Sequence, residues 1–476
     1  MARPGAIRSG GGLSSLWKSD IWPTLALGSP IAGAQLAQMA INTTDVVMVG
    51  WLGAEPLAAM VLAFNLYIVI WLFGMGVLQA VIPLAAKARG ERDPRELRRA
   101  VRMGFWVVAL YSVPALLLLW NTEAILLALG QEAEIARLAA LYMQVLMFAL
   151  PPSLATMAIR NFITVMEKAQ VVLWATVAAA LVNALFDYVL IFGHFGAPQM
   201  GIVGAGVASV ATALSTTVLL VAYCLRDRKL RRYAIFGRIW RTDWPYFFQI
   251  IKLGWPIGLT ILFEVALFAG STIPMGWLGT VPLAAHGIAL QIASITFMVP
   301  LGIGQAGMIR VGLAAGNRDS AAVGRAGWVA TGVALAFMGV MAIVMWTFPN
   351  ELVALFLDKA KAQSGEVIAI GATFLAVAAL FQLFDGAQVV GGSILRGLSD
   401  TRVPMVIAAL GYWAVGGGLA YAFAFPLGLE GLGIWWGLAM GLAFVAVAAL
   451  YRFHRRDRYG LVAGAAPVRA LSGAAG

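Results

Sequence analysis

The chain has 476 residues, of which 61% are hydrophobic and 12% are charged. Soluble domains carry about 25% charged residues, so this composition excludes an ordinary water-soluble protein and indicates a chain that crosses a membrane many times. The net charge of +11 does not indicate nucleic-acid binding, because the basic residues cluster between apolar runs, as topology signals do.

The sequence also lacks the signatures of common enzymes. Cys224 is the only cysteine, and the three histidines are scattered along the chain, so neither an internal disulfide nor a zinc site is expected. No lysine follows a glycine, as a Walker A loop requires, and no serine lies in a G-x-S-x-G turn. We therefore expect no enzymatic activity, no cofactor, and no metal other than a coupling ion.

Twelve apolar spans follow one another along the chain. We predict them at about 23–49, 57–86, 102–121, 138–159, 169–193, 201–224, 247–275, 282–309, 324–348, 366–393, 404–426 and 431–451. Basic residues concentrate at 87–102 and 226–241, which places the even-numbered loops and both termini in the cytoplasm. The first 22 residues precede a long apolar span without a suitable cleavage site, so no removable signal peptide is expected.

A sequence repeat divides these spans into two equal halves. The stretch "GWLGAEPLAA" at 50–59 returns as "GWLGTVPLAA" at 276–285, and the same offset of 226 residues pairs Gln79 with Gln305. An even number of spans separates the copies, so the repeat is parallel. We expect an all-α polytopic membrane protein with twelve transmembrane helices in two six-helix bundles, related by a pseudo-twofold axis along the membrane normal.

The expected organisation follows from this repeat. It comprises a cytoplasmic tail (1–22), an N-lobe (23–225), a cytoplasmic linker (226–246), a C-lobe (247–455) and a second cytoplasmic tail (456–476). Pro30 and Pro256 recur at the same place in the first helix of each lobe, which predicts a shared kink, because proline removes a backbone hydrogen bond.

Polar residues inside the N-lobe spans gather on helix faces. Gln35, Gln38, Asn42 and Asp45 fall at steps of three and four residues, which places them on one face of the first helix. On the fifth helix the same argument groups a second pair, Asn183 and Asp187. A charge at mid-helix costs at least ~2.5–3.5 kcal/mol, so such acids normally face a cavity or a partner. The cluster suits either a proton or Na⁺, and the sequence leaves both open.

The C-lobe carries its acids at different positions. Glu264 occupies the repeat position of Gln38, while the repeat position of Asp45 holds Ser271. Asp385 lies on the tenth span with Gln382 nearby. A second acidic site formed by Glu264 and Asp385 is a hypothesis, since the sequence does not show that their helices touch.

With these features the chain resembles the MATE (multidrug and toxic compound extrusion) family, in a NorM- or DinF-like bacterial branch. The resemblance covers about residues 20–455 and is specific at "DVVMVGWLG", "NALFDYVLIFGHFGAPQMGIVGAGVAS" and "SILRGLSDTRVP". Members of the family export organic cations in exchange for inward H⁺ or Na⁺.

The resemblance also implies site residues. It implies a cation-coupling site at Asp45, Asn183 and Asp187 in the N-lobe, with Ser209 as an added hydroxyl, and a C-lobe site at Glu264 and Asp385. NorM-type proteins often have Asn where Asp187 stands, whereas archaeal and DinF-like members have Asp. This chain thus combines the acids of two branches, which leaves open the coupling ion and the lobe that binds it.

We therefore expect a monomeric, secondary active antiporter of the bacterial inner membrane. Its partners would be small organic cations and the lipid bilayer, with no nucleic acid and no cofactor. The alternative is a flippase for a lipid-linked oligosaccharide from the same superfamily. Such proteins tend to line their cavity with Arg, whereas here the intramembrane charges are acids and nearly all Arg lie in loops or at span ends.

Overall fold

The computed structural model describes residues 13–357 and 363–462, and the side chains of the first helix from Asp20 onward. Within these ranges the secondary structure is helical and contains no strand. Most of the predicted tails, 1–22 and 456–476, lies outside the described residues.

Twelve long helices account for the fold. They are α1 (Leu13–Gly50), α2 (Ala54–Gly90), α3 (Pro94–Trp120), α4 (Ala133–Val165), α5 (Ala169–Phe192), α6 (Ile202–Arg226), α7 (Trp244–Trp277), α8 (Thr280–Gly316), α9 (Ser320–Thr347), α10 (Ser364–Gly397), α11 (Arg402–Ala424) and α12 (Glu430–His454). Short helices at Thr122–Ala128, Arg228–Arg231 and Pro349–Ala354 join some of them. The order and number of these helices agree with the twelve spans expected from hydropathy.

Eleven of these helices are long and apolar enough to cross a membrane by length and composition alone. The exception is α1, which has sufficient length but carries glutamine, asparagine, threonine and aspartate along its second half. Helix α1 runs without interruption through Pro30, and α7 does so through Pro256. The shared kink stays a prediction.

In keeping with the predicted repeat, we call helices α1–α6 the N-lobe and helices α7–α12 the C-lobe. One hydrophobic cluster fills the N-lobe and extends across the seam to Ile257 on α7 and Ile309 on α8, and two further clusters, including the large buried side chains Trp435 and Phe453, lie in the C-lobe. Between the lobes, α1 packs on α8 and α2 packs on α7. In the repeat, α1 corresponds to α7 and α2 corresponds to α8. The contact of α1 with α8 is therefore equivalent to the contact of α7 with α2, as a twofold relation requires.

Small residues bring the lobes together along this seam. A Cβ placed on Gly76 would lie 2.5 Å from the Cα of Gly258, and one placed on Gly302 would lie 2.5 Å from the backbone nitrogen of Ala32. Each residue of the second pair is the repeat partner of one in the first. The close helix contacts of the seam are therefore made twice, and they depend on the absence of a side chain at Gly76 and Gly302.

The pseudo-twofold axis itself passes beside two glycines. A Cβ on Gly90 would lie 3.0 Å from the Cα of Gly316, and a Cβ on Gly316 would lie 3.0 Å from the Cα of Gly90. These residues are repeat partners that touch each other. The parallel six-plus-six arrangement expected from the sequence is thus present in the backbone contacts.

The turn that follows each of these glycines is also duplicated. Arg92 and Arg318 adopt left-handed backbone angles, with φ of 57° and 58°. The next residue of each turn caps a helix: Asp93 accepts a hydrogen bond from the backbone nitrogen of Arg95 at 2.8 Å, and Asp319 accepts one from that of Ala322 at 2.8 Å. Capping aspartates fix where α3 and α9 begin.

Candidate functional site

A cavity of about 180 Å³ lies inside the N-lobe, between α1, α2, α4, α5 and α6. Helix α1 contributes Gln38, Asn42 and Asp45, the face predicted from their spacing. Helix α5 contributes Asn183, and α6 contributes Ser209. Five of the polar residues predicted for the N-lobe site therefore border one space.

The carboxyl of Asp45 lies close to the side chains of Asp187 and Asn183 on α5. All three side chains are removed from solvent, with 8% of Asp45, 1% of Asn183 and none of Asp187 exposed. Asp187 is not among the residues that line the cavity. Two carboxyl groups from different helices thus share one buried environment.

Most polar atoms of this trio have no hydrogen-bond partner among the described residues. They are Asp45 Oδ1, both side-chain polar atoms of Asn183, and both carboxyl oxygens of Asp187. Buried polar groups are normally hydrogen-bonded, because an unpaired one costs about 1–3 kcal/mol. Two ionised carboxylates can only accept hydrogen bonds, so neither can satisfy the other.

Other groups around the trio complete a polar pocket. The buried Tyr142 on α4 lies near both Asp45 and Asp187. Thr212 on α6 borders the same cavity as Ser209, three residues earlier, and its hydroxyl has no partner among the described residues. The opposite wall is aromatic and formed by α2, with Phe64, Tyr67 and Trp71. The cavity therefore combines acidic, neutral polar and aromatic surfaces.

A second, smaller cavity of about 20 Å³ adjoins the lobe interface. Its wall includes Gln35 from α1, Gln79 from α2 and Gln305 from α8, so the repeat-related glutamines meet here. Arg160 on α4 borders both this cavity and the larger one. From the C-lobe, Arg396 Nη1 donates a hydrogen bond to Gln79 Oε1 at 3.4 Å.

In the C-lobe, Glu264 and Asp385 are brought together by a shared amide. Gln388 Nε2 donates to Glu264 Oε1 at 2.8 Å and to Asp385 Oδ1 at 3.2 Å. The hydroxyl of Tyr412 on α11 donates to Gln388 Oε1 at 2.8 Å. The helices of the two predicted acids are thus connected through α10, and each acid already has a hydrogen-bond donor.

The remaining predicted polar residue, Gln382, lies in the C-lobe interior. It accepts a hydrogen bond from the Thr296 hydroxyl at 3.1 Å and donates one to the Met338 carbonyl at 3.3 Å. It borders neither of the two cavities. Ser271, the repeat partner of Asp45, is 3.0 Å from His286 Nε2.

Sequence reasoning did not single out Arg160, Thr212, Tyr142 or Tyr412. Thr212 follows Ser209 by three residues, so helical spacing predicts that both lie on one face. Arg160 is five residues from the end of α4, and a basic residue at that depth is normally assigned to the interface. The two tyrosines gave no comparable signal, because aromatic residues are frequent in membrane helices.

Comparison with known proteins places this architecture in a family. The MatE family model matches residues 30–189 and 256–422, which includes most of both lobes. The "Probable multidrug resistance protein NorM" of Rhizobium meliloti (strain 1021) is 47% identical over 439 residues, covering 92% of this chain and 94% of that protein. The protein of the same name from Mesorhizobium japonicum is 45% identical over 449 residues, covering 93% and 96%.

A solved structure supports the fold independently. A Vibrio cholerae MATE transporter matches with a TM-score of 0.84 at 18% identity, covering 94% of this chain and 98% of that one. The sequence relatives span nearly the whole chain and are transporters, not enzymes. The chain belongs to the MatE family and is a multi-pass membrane protein of the multidrug efflux class.

Proposed function

We propose that this protein is a secondary active antiporter of the bacterial inner membrane that exports organic cations in exchange for inward H⁺ or Na⁺. The observation that carries the proposal is the N-lobe trio beside the cavity: five of its six side-chain polar atoms are buried without a hydrogen-bond partner among the described residues. A proton or Na⁺ bound between Asp45 and Asp187 would supply the interaction that the protein itself does not.

The coupling step follows from the charges of this site. With both acids ionised, the like charges repel and attract a cation, and with one acid protonated or a Na⁺ bound the repulsion falls. Either ion makes the site smaller and less negative. An organic cation held at Asp45 is then released, so ion binding and substrate binding exclude each other.

The aromatic wall supports organic cations as substrates. Phe64, Tyr67 and Trp71 line the cavity on the side of α2, and aromatic faces attract cations by about 0.5–2 kcal/mol. Met157 lies on the wall of the same cavity, and methionine surfaces adapt to ligands of different shape.

The driving force is sufficient for export. Exchange of one H⁺ or Na⁺ for one monovalent organic cation moves no net charge, so the concentration gradient of the coupling ion drives it. A tenfold ion gradient is worth ~1.4 kcal/mol and sustains roughly a tenfold gradient of the substrate. No nucleotide is required for such a gradient.

Alternating access would involve the seam between the lobes. The seam glycines Gly90 and Gly316 lie beside the basic turns, on the side that we assign to the cytoplasm. Ion pairs such as Lys168–Asp227 and Arg452–Asp400 lie at the ends of other helices, on the side that we assign to the cytoplasm. We infer that rocking of the two lobes opens this seam, within a single chain that acts as a monomer with both termini in the cytoplasm.

The proposal is tested in proteoliposomes loaded with ethidium. Efflux is measured under an imposed pH gradient or an imposed Na⁺ gradient, for the unchanged protein, Asp45→Asn and Glu55→Gln. Glu55 is an exposed acid at the start of α2, so its variant controls for the loss of a carboxylate as such. We expect one gradient to drive efflux, with loss in Asp45→Asn only.

The gradient that drives efflux identifies the coupling ion. Undiminished efflux by a well-folded Asp45→Asn protein would remove the N-lobe trio from the coupling mechanism. Absence of efflux under either gradient would contradict the antiporter proposal itself.

A further inference from the structure

Three ion pairs cross from one lobe to the other. Near the start of α1, the carboxyl of Asp20 lies 2.6 Å from Arg310 Nη2 on α8 and 3.4 Å from Arg325 Nε on α9. Asp243, which caps the start of α7, lies 2.6 Å from Arg99 Nη2 on α3. The remaining ion pairs of the described residues do not cross between the lobes.

Two of the arginines in these crossing pairs are repeat partners. Arg99 on α3 and Arg325 on α9 are separated by the repeat offset of 226 residues, and α3 packs on α7 as α9 packs on α1. Asp20 corresponds in the repeat to Tyr246, whose ring centroid lies 4.9 Å from the guanidinium carbon of Arg99. Each lobe therefore extends an arginine to the first helix of the other lobe.

These groups lie near the helix ends that we assign to the cytoplasm, where the seam is closed. A Cβ placed on Gly316 would lie 2.2 Å from the carbonyl oxygen of Lys87 and 3.0 Å from the Cα of Gly90. One turn before Gly90, the buried Ala86 of α2 packs against Gly312 of α8. The lobes can part at this end only when the crossing ion pairs separate.

The two contacts differ in how well they are shielded from water. The side chains of Asp20 and Arg310 are 20% and 16% exposed, whereas those of Asp243 and Arg99 are 28% and 41% exposed. Arg310 also donates hydrogen bonds to the carbonyl of Asp20 and to the hydroxyl of Thr24. Water and salt screen exposed charges more than partly buried ones, so the contact at Asp20 is the stronger of the two.

We propose that these ion pairs form a two-part lock, which holds the cytoplasmic ends of the lobes together and sets how often they open. The α1 half of the lock consists of Asp20, Arg310 and Arg325, and it is the stronger half. The α7 half consists of Asp243 and Arg99. This inference rests on the alternating access of the proposed function and assigns the residues that control it. They position the lobes and bind neither the substrate nor the coupling ion.

A cysteine buried under the closed seam reports the opening. Ala86→Cys is introduced together with Cys224→Ala, so that the reporter is the only cysteine of the chain. The rate at which a water-soluble, membrane-impermeant maleimide modifies it is measured with the purified full chain in lipid nanodiscs, without an ion gradient. At low maleimide concentration, modification is slower than reclosing, so the rate is proportional to the fraction of open molecules.

We expect Asp20→Asn to raise the modification rate by about tenfold or more, as when a hydrogen bond to a charged group is lost. Arg310→Gln removes the other side of the same contact and should act similarly. Asp243→Asn should raise the rate by about two- to fivefold, as for an exposed pair, because asparagine still caps the helix. Asp400→Asn is the matched control and should leave the rate unaltered, since Asp400 pairs with Arg452 within the C-lobe.

The proposal is overturned if Asp20→Asn and Arg310→Gln leave the modification rate unaltered. It is also overturned if Asp400→Asn raises the rate as much, because the cause would then be a general loosening of the fold. An effect of Asp243→Asn as large as that of Asp20→Asn would contradict the assignment of the stronger half.

Failure of this inference is distinguishable from failure of the proposed function, because the modification rate needs neither ethidium nor a gradient. Gradient-driven ethidium efflux together with unaltered modification rates would reject the lock alone. Absence of efflux together with faster modification in Asp20→Asn would retain the lock and reject the antiporter.

Discussion

The two lobes share a backbone plan but hold their buried acids in different ways. In the N-lobe, Asp45 and Asp187 lie close to each other, and three of their four carboxyl oxygens are buried without a hydrogen-bond partner among the described residues. In the C-lobe, Glu264 and Asp385 both receive a hydrogen bond from Gln388. Under the proposed function, the N-lobe pair binds the coupling cation, whereas the C-lobe acids are already hydrogen-bonded within the fold.

The largest effect should appear when the acid of each lobe is neutralised in turn. We expect Asp187→Asn to reduce gradient-driven ethidium efflux by about 100-fold, the upper range of coupling between two ligands. Asp385→Asn should reduce it by less than about tenfold, since Gln388 can still donate to Glu264. Initial efflux rates in proteoliposomes measure both. The reverse order would assign coupling to the C-lobe.

An intermediate effect, on stability, should distinguish the amides beside these acids. Gln388→Leu removes the donor to both C-lobe acids, so the free energy of unfolding should fall by about 1–3 kcal/mol for each group left unsatisfied. Asn183→Leu removes two polar atoms that have no partner, so stability should hold or rise while ethidium efflux is lost. Thermal unfolding in detergent measures the stability of both variants. A fall in stability for Asn183→Leu would show that its amide is structural.

The smallest effect should come from an acid outside the membrane, which serves as the reference. Lys168 donates a hydrogen bond to Asp227, and this contact, with the backbone N–H of Leu230, lowers the pKa of Asp227 from 3.8 to about 2. A lowered pKa stabilises the fold above about pH 4, and the contribution is lost as the pH falls through about 2.

Asp227→Asn should therefore cost less than about 1 kcal/mol at pH 7, as is typical of surface pairs, and should cost nothing near pH 2. Thermal unfolding of the variant and the unchanged protein between pH 2 and 7 measures the difference. A cost that persists at pH 2 would mean that Asp227 acts through its helix cap rather than its charge.

Much of the fold was predictable because it follows from periodic patterns in the sequence, namely apolar runs, the repeat and helical spacing. Apolar runs indicated the helices, and the offset that relates Gln79 to Gln305 indicated the two lobes, whose seam then repeats at Gly76 and Gly302. The N-lobe face was predictable for the same reason: Gln38, Asn42 and Asp45 follow helical spacing. Which helices touch was not, since spacing within a helix carries no information about its neighbours.

The unpredicted residues depend on such contacts. Tyr412 reaches Gln388 from α11, within the wider π-helical turn Leu410–Gly417, which changes the direction of side chains that follow regular α-helical spacing. Arg160 gave no signal in the sequence, since it lies near the end of its span, yet the packing of α4 places it on the cavity wall. The positions of both side chains depend on how the helices pack, which the sequence of one helix does not show.

The touching pair Gly90 and Gly316 has a consequence for the origin of the chain. A residue that meets its own repeat partner, flanked by the reciprocal contacts of Gly76 with Gly258 and of Gly302 with Ala32, has the pattern of an isologous interface between identical subunits. A single six-helix half therefore carries the complementary surface for a second copy of itself. In these terms the chain corresponds to a homodimer joined end to end, whose two halves differ at one key position: Asp45 in the first and Ser271 in the second.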